Sequence, residues 1–249
     1  MERDMEPRIL VGCPTAAPYA YCLEAYAKRV RELTYPAYDV LIADNSSGDE
    51  YLRQLRQAGL QAIQTPHLPD VRERVIHARN RLRDHMLCNG YDYFFSLEQD
   101  VIPPIDVLER LLRHQKPVVS GVYYKDFHVT YTHKGKVVKT AQKIMPLICT
   151  FVQGMEDSDK VHLCSPQEVD GDRFFRIRGA GLGCLLIHRS VLKKVQFHSD
   201  EERGTFDDLC FSNDAYKLNI PLYVDTSVKC RHLIRKKYDK LFGSAGESS

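Results

Sequence analysis

No run in the 249-residue sequence approaches the roughly 18 consecutive apolar residues of a membrane-spanning helix. The opening MERDMEPRILVG also lacks the apolar stretch of a secretory signal. Paired cysteines are missing too: the eight, at 13, 22, 88, 149, 164, 184, 210 and 230, show no CxxC and no zinc-like spacing. Most sit in apolar runs and read as small core residues of a reducing compartment. Charge of one sign is scarce, since 35 Lys and Arg against 33 Asp and Glu leave +2. That removes a global electrostatic case for nucleic acid, leaving two local basic clusters, Arg72–Arg83 and Lys229–Lys240, as contact surfaces or solvated faces. Repeats and low-complexity tracts are absent, and only the final GSAGESS reads as disordered. The expectation is a soluble, cytoplasmic protein.

What is present is ordinary for a globular chain: 43% hydrophobic and 27% charged residues. The length suits one α/β domain, 1–242, with a disordered tail at 243–249. Apolar runs closed by turn residues alternate with amphipathic stretches. RILVG (8–12) reads as a strand, followed by a helix through Tyr21, Leu23, Ala27, Val30 and Leu33. A strand at 38–43, a polar turn at Asp44–Ser47 and a helix ending near Gly59 repeat the scheme, and LQAIQT supplies a third strand. A long helix is predicted over about 70–88, then the strand YDYFFSL, the helix IDVLERLLRHQ and the strand PVVSGVYY. Such alternation predicts a mostly parallel sheet flanked by helices, with a nucleotide-binding half at about 8–124. From 125 to about 176 the pattern turns β-rich, with a hairpin about Lys134–Gly135 and short strands near 146–152 and 172–178. The strand GLGCLLIH, a helix at 207–219 and the strand PLYVDT close the second half, about 125–242.

The stretch YDYFFSLEQDVIPP places Glu98 and Asp100 at the end of a hydrophobic strand. In open α/β sheets, ligands bind beyond the carboxyl ends of the strands. If the segment stays extended, side chains at i and i+2 face the same way, and both carboxylates can address one hard cation, Mg²⁺ or Mn²⁺. A solvated acidic loop is the plainer reading. Polar turns after the first two strands, Cys13-Pro14-Thr15 and Asp44-Asn45-Ser46, open on the same edge and suggest a pocket there.

The ordered pieces ILVGCPT, LIADNSS, ARNRLRDHMLCNGYDYFFSLEQDVIPP, VVSGVYY, GAGLGCLLIHRSVL and FDDLCFSNDAYKLNIPLYVDTSVKCRH resemble the GT-A fold glycosyltransferases, most closely the family 2-like nucleotide-sugar enzymes, over roughly 8–232. The resemblance implies a metal-dependent, inverting transferase that uses a UDP- or GDP-sugar. Glu98-Gln99-Asp100 then matches the D-x-D element, with Asp100 on the metal and Glu98 on ribose or metal-bound water. Pro14 and Thr15 border the base, Asp44 with Asn45 recognises base or ribose, Arg79 and Asn80 lie against the nucleotide, and His232 supplies a further metal ligand. Asp207-Asp208 matches the acid pair that provides the base; Asp208 is expected to act, with Asp207 as the positional alternative.

Each residue also has a plainer role. Asp44 and Ser46 suit helix capping, Arg79 a solvated helix face, His232 a basic surface, and Asp207-Asp208 a helix N-terminus. The glycines at 179, 181 and 183 precede a strand, so the dinucleotide-binding fingerprint fails; Gly181 is expected to let backbone approach the donor sugar or acceptor, or to form a strand-entry turn. Tyr123, Tyr124, Phe127, Tyr131, Phe174 and Phe175 suit either stacking on a sugar or base, or core packing. Two other classes stay open: a sugar nucleotidyltransferase, disfavoured because GCPTAAPYAY lacks a Gly-rich, lysine-bearing loop, and a non-catalytic nucleotide-sugar-binding subunit. The acceptor is unspecified among a glycan, a lipid-linked molecule, a protein and modified nucleic acid.

Overall fold

The computed structural model describes residues 6–133, 136–154, 160–200, 202 and 205–233. The expected hairpin turn at Lys134–Gly135, residues 234–240 of the second basic cluster and the tail 243–249 lie outside the described residues. Among those described, no helix is long and apolar enough to cross a membrane.

The first half follows the predicted alternation: β1 (Ile9–Thr15), α1 (Leu23–Arg31), β2 (Tyr38–Asp44), α2 (Glu50–Gln57), β3 (Ala62–Gln64), α3 (Val71–Cys88) and β4 (Tyr93–Leu97). A short β5 (Val101–Ile102) precedes α4 (Val107–Leu112) and β6 (Val118–Val122). The sequence predicts a longer α4; it stops early because Gln115 adopts a φ of 49° and Pro117 cannot continue a helix. The β-rich segment consists of β7 (Tyr124–His133), β8 (Lys136–Pro146), β9 (Ile148–Phe151) and β10 (Val161–Leu163). Next come β11 (Phe174–Ile177), β12 (Gly179–Ala180), β13 (Cys184–His188), α5 (Arg189–Leu192), α6 (Asp207–Lys217), β14 (Leu222–Lys229) and β15 (Arg231–His232).

The main sheet runs β11-β14-β6-β13-β4-β1-β2-β3. Its parallel pairs are β14 with β6, β4 with β1, β1 with β2, and β2 with β3. Strand β13 is antiparallel to both β4 and β6, between which it lies, and β11 is antiparallel to β14. The β-rich excursion ends sooner than expected, since β11 joins the main sheet, while β7–β8 form a separate ribbon and β10-β9-β12 a small sheet.

Helices cover both faces, which is why the central strands carry apolar residues on both sides. On one face Tyr26, Val30, Leu55 and Leu108 pack over Val11, Phe95 and Leu186. On the other, Ala78, Leu82, Met86 and Phe211 pack over Leu10, Phe94 and Leu185. Each such side chain contributes about 1.5–3 kcal/mol of burial. The resulting slab holds the carboxyl ends of β1, β2, β4 and β6 at one edge, where the start of β13 also lies.

Candidate active site at the carboxyl edge of the sheet

A cavity of about 570 Å³ opens at that edge, lined by Pro14, Thr15, Tyr19, Asn45, Arg74 and the acidic turn among others. Residues 98–100 do not continue the strand: Val101 N donates to the Glu98 carbonyl (3.0 Å), closing a turn. The two carboxylates therefore take different partners instead of converging as an extended segment would have them. Glu98 Oε1 accepts from Arg79 Nη2 at 2.7 Å, whereas Asp100 Oδ2 lies 3.1 Å from His232 Nε2. Both acids still line the cavity.

Gln99, between them, is a functional support that sequence reasoning passed over. It is buried, accepts from the Thr15 hydroxyl, and donates through Nε2 to the Tyr19 carbonyl (3.1 Å) and the Tyr51 hydroxyl (2.7 Å). One amide thus ties the acidic turn to the end of β1, the segment before α1, and α2.

Asp44 lies beneath the cavity wall and is wholly buried. It caps no helix, since Asp49 precedes α2; instead its Oδ1 accepts from Ser46 N (3.0 Å) and Ser46 Oγ (2.6 Å), bracing the turn. Its Oδ2 has no hydrogen-bond partner among the described residues. Asn45 and Ser46 form the wall above it.

Arg79 is buried, not solvated. Its Nε donates to Asp207 Oδ2 (2.6 Å), Nη1 to Ser96 Oγ (3.0 Å) and Nη2 to Glu98. Burial pulls its pKa down, and Asp207 and then Glu98 more than restore it, so the group is held above the ordinary arginine value. Asn80 turns away from the cavity: its amide donates to the Phe197 carbonyl (2.8 Å) and accepts from Phe197 N (3.0 Å), a clamp on the chain after α5. Three other arginines of the first basic cluster are also engaged. Arg72 sits 4.4 Å from the centre of the Phe206 ring, Arg74 bonds His67, and Arg83 Nε donates to the Leu192 and Val195 carbonyls.

Asp207 and Asp208 open α6, where acids gain from the helix dipole. Asp207 is spoken for by Arg79. Among the described residues Asp208 makes no ion pair; its Oδ1 accepts from Leu209 N (2.7 Å), and burial, then the neighbouring Asp207, outweigh that bond and the charges of Arg79 and Lys125 and push its pKa above the usual carboxylate range. Such a carboxylate is better matched to accepting a proton near neutrality. His232 is partly buried, with Nδ1 2.6 Å from the Tyr124 carbonyl. Burial lowers its pKa, but the bond to Asp100 and that carbonyl outweigh it and hold the imidazole above its ordinary value.

Gly181 and Gly183 do make room for a close neighbour, which is Tyr123. A Cβ on Gly183 would stand 2.6 Å from Tyr123 Cζ, and one on Gly181 would meet the hydroxyl. That buried hydroxyl accepts from Gly183 N (3.0 Å), and the ring meets His232 edge-on at 5.7 Å. The glycines therefore serve a side chain and do not line the cavity. Phe174, though exposed, takes its ring partners from within the protein, stacked on His114 (3.7 Å) and Tyr223 (5.1 Å). A second, more open cavity of about 470 Å³ lies beside it, lined by Thr150, Cys164, Glu168, Arg173, Phe174 and Phe175, with none of the acids of the first. The side chain of Tyr131 lies outside what is described.

Among the described residues, no three or more His, Cys, Asp and Glu side chains gather as a ready metal cage. Asp100 with His232 is a carboxylate–imidazole pair that leaves most of a cation's coordination positions to water or to ligand oxygens, a donor set compatible with Mg²⁺ or Mn²⁺.

No family model matches the chain, and no curated protein does. Solved structures share its fold. It superposes on S. aureus TarS, a GT-A-type glycosyltransferase, with a TM-score of 0.52 and 14% identity, covering 89% of this chain and 36% of TarS. For TarS 1-349 the TM-score is 0.53 at 13% identity, with 89% of this chain and 60% of that one covered. The fold is glycosyltransferase-like. The chain spans about a third of the longer TarS structure and 60% of the shorter one. A197 from STIV aligns with a TM-score of 0.47 at 17% identity, over 91% of this chain and 86% of that one.

Proposed function

We propose that the chain is a metal-dependent glycosyltransferase that moves a sugar from a nucleotide-sugar donor to an acceptor hydroxyl with inversion. The observation that carries this reading is the cavity at the carboxyl edge, lined by Asp100, which pairs with His232 behind it, and by Arg79, whose partner Asp207 stands next to the raised-pKa carboxyl of Asp208 at the start of α6. Asp44, wholly buried behind the Asn45–Ser46 wall, holds that wall in place through its two bonds to Ser46. In this reading Asp100 and His232 hold a divalent cation, which when bound offsets the charge that builds on the departing diphosphate. Pro14, Thr15 and Asn45 border the nucleoside. Asp208 takes the proton from the attacking hydroxyl, on the face of the sugar opposite the leaving group, a step worth about 10²–10⁴-fold. Glu98, paired with Arg79, shapes the turn and leaves cation binding to Asp100.

A thermal-shift screen of UDP- and GDP-sugars, each with and without Mn²⁺, tests the reading, because a ligand that binds the native state raises its stability. A nucleotide-sugar shift that requires Mn²⁺, followed by turnover, supports it. Binding without hydrolysis or transfer to any acceptor would make the chain a binding subunit, and no shift with any donor would remove the nucleotide site.

A further inference from the structure

The geometry points to Arg79 as a positioning residue that locks the acidic turn after β4 to the start of α6, so that the cation end and the base end of the site are held as one unit. This rests on the reading above for its catalytic consequence, but not for its physical content. Three contacts carry it. Arg79 is 2% exposed, and its guanidinium joins Asp207, at the first position of α6, to Glu98, just after β4, with 2.6 and 2.7 Å bonds. Its third nitrogen donates to Ser96 Oγ, whose hydroxyl in turn donates to the Leu182 carbonyl (2.6 Å), which anchors the fork to the sheet through the chain entering β13.

Several features make this more than an incidental ion pair. A buried cation with two carboxylates in place is compensated; with one removed it is still compensated; with both removed it is stranded in a low-dielectric interior. The two acids, distant in sequence, are therefore coupled favourably through Arg79, against their direct repulsion. The guanidinium's planar fork suits this task because it reaches three acceptors in fixed directions, which an ammonium on a flexible stem does not. The arrangement also divides labour within the acid pair: Asp207 is occupied as the tether, and Asp208, one residue on, keeps its carboxylate for chemistry. The same guanidinium lines the cavity beside Glu98, so the lock lies at the wall of the donor site.

The test is a cycle of Glu98→Gln, Asp207→Asn and both together, in parent, Arg79→Lys and Arg79→Met backgrounds, followed by thermal melting without any ligand. In the parent, each single amide is expected to lower the melting temperature by about 2–4 °C, and the double by clearly more than their sum. In Arg79→Met, where the carboxylates only repel one another, Glu98→Gln is expected to raise the melting temperature. If Arg79→Met does not fold, Arg79→Lys still decides the matter, because the excess loss in the double is expected to shrink by at least half there. Additive single effects in the parent, or an unchanged excess in the lysine background, would overturn the coupling. On the catalytic side, Arg79→Lys is expected to lower turnover about tenfold or more with donor KM changed less than about threefold, and Asp208 is expected to lose its activity at a higher pH than in the parent. Equal losses in both parameters with an unmoved pH profile would overturn the positioning role. A parent that shows no turnover sinks the transferase reading but leaves the melting cycle intact, so the two failures are distinguishable.

Discussion

His232 Nε2 lies 3.1 Å from Asp100 Oδ2, joining β15 to the turn that follows β4. Two-residue pairing of β15 with β5 sets this contact, with His232 in register with Val101. The Tyr124 carbonyl orients the ring from the other side at Nδ1. A carboxylate at the cavity wall, fixed by an imidazole behind it, is the part of the site from which the functional reading starts, and the expectations below probe its surroundings.

Asp208→Asn is expected to lower turnover by about 10²–10⁴-fold while leaving the donor-dependent thermal shift intact. The pH dependence has a definite sign. Because burial and Asp207 raise its pKa, the proton-accepting form is lost, as pH falls, above the ordinary aspartate value of about 3.9. For stability the raised pKa means that Asp208 helps the fold while neutral, below its unfolded-state pKa, and that this help is lost as pH rises through the folded-state value. At neutral pH the asparagine variant should therefore melt no lower than the parent, and a marked drop would place Asp208 in a structural role.

Asn80→Ala should cost about 1–3 kcal/mol of stability, since both the N–H and the carbonyl of Phe197 lose their partner. Chemical denaturation measures the loss. The ligand-induced shift of the folded fraction should match the parent; a selective loss of nucleotide binding would return Asn80 to the donor site.

Gly181→Ala introduces a methyl against the Tyr123 hydroxyl, and overpacking of this kind costs about 1–3 kcal/mol. Adding Tyr123→Phe should recover part of it, because the hydroxyl is the nearest atom. The same rescue should fail for Gly183→Ala, whose nearest neighbour is Cζ of the ring, 2.6 Å away. Equal rescue of both would contradict the packing described.

The parts of the fold legible in the sequence are those where local pattern and tertiary place agree. Strands β1, β4 and β6 and the second half of β2 are buried and read as mainly apolar runs; α3 announces itself through Ala78, Leu82 and Met86. The insertion of β13 between β4 and β6 was not legible, because an apolar run looks the same whichever way it points. Arg79 could have been suspected: at three positions before Leu82 and seven before Met86 it shares their stripe, and a charge there must find partners inside. The role of Gln99 had no local signal, as the turn at 98–101 that aims it inward is set by contacts with Thr15, Tyr19 and Tyr51. The same turn explains why Glu98 and Asp100, taken from sequence as one cation-facing pair, go to Arg79 and His232 separately.

The most direct measurement is the melting temperature of parent and Asp100→Ala with a saturating nucleoside diphosphate, with and without Mn²⁺. At about 100-fold excess over Kd, binding stabilises the parent by about 2.7 kcal/mol. The account expects that Mn²⁺-dependent gain in the parent and its loss in Asp100→Ala, with the ligand-free melting temperatures close together. An identical Mn²⁺-dependent gain in both proteins would contradict the central claim that Asp100 holds the cation.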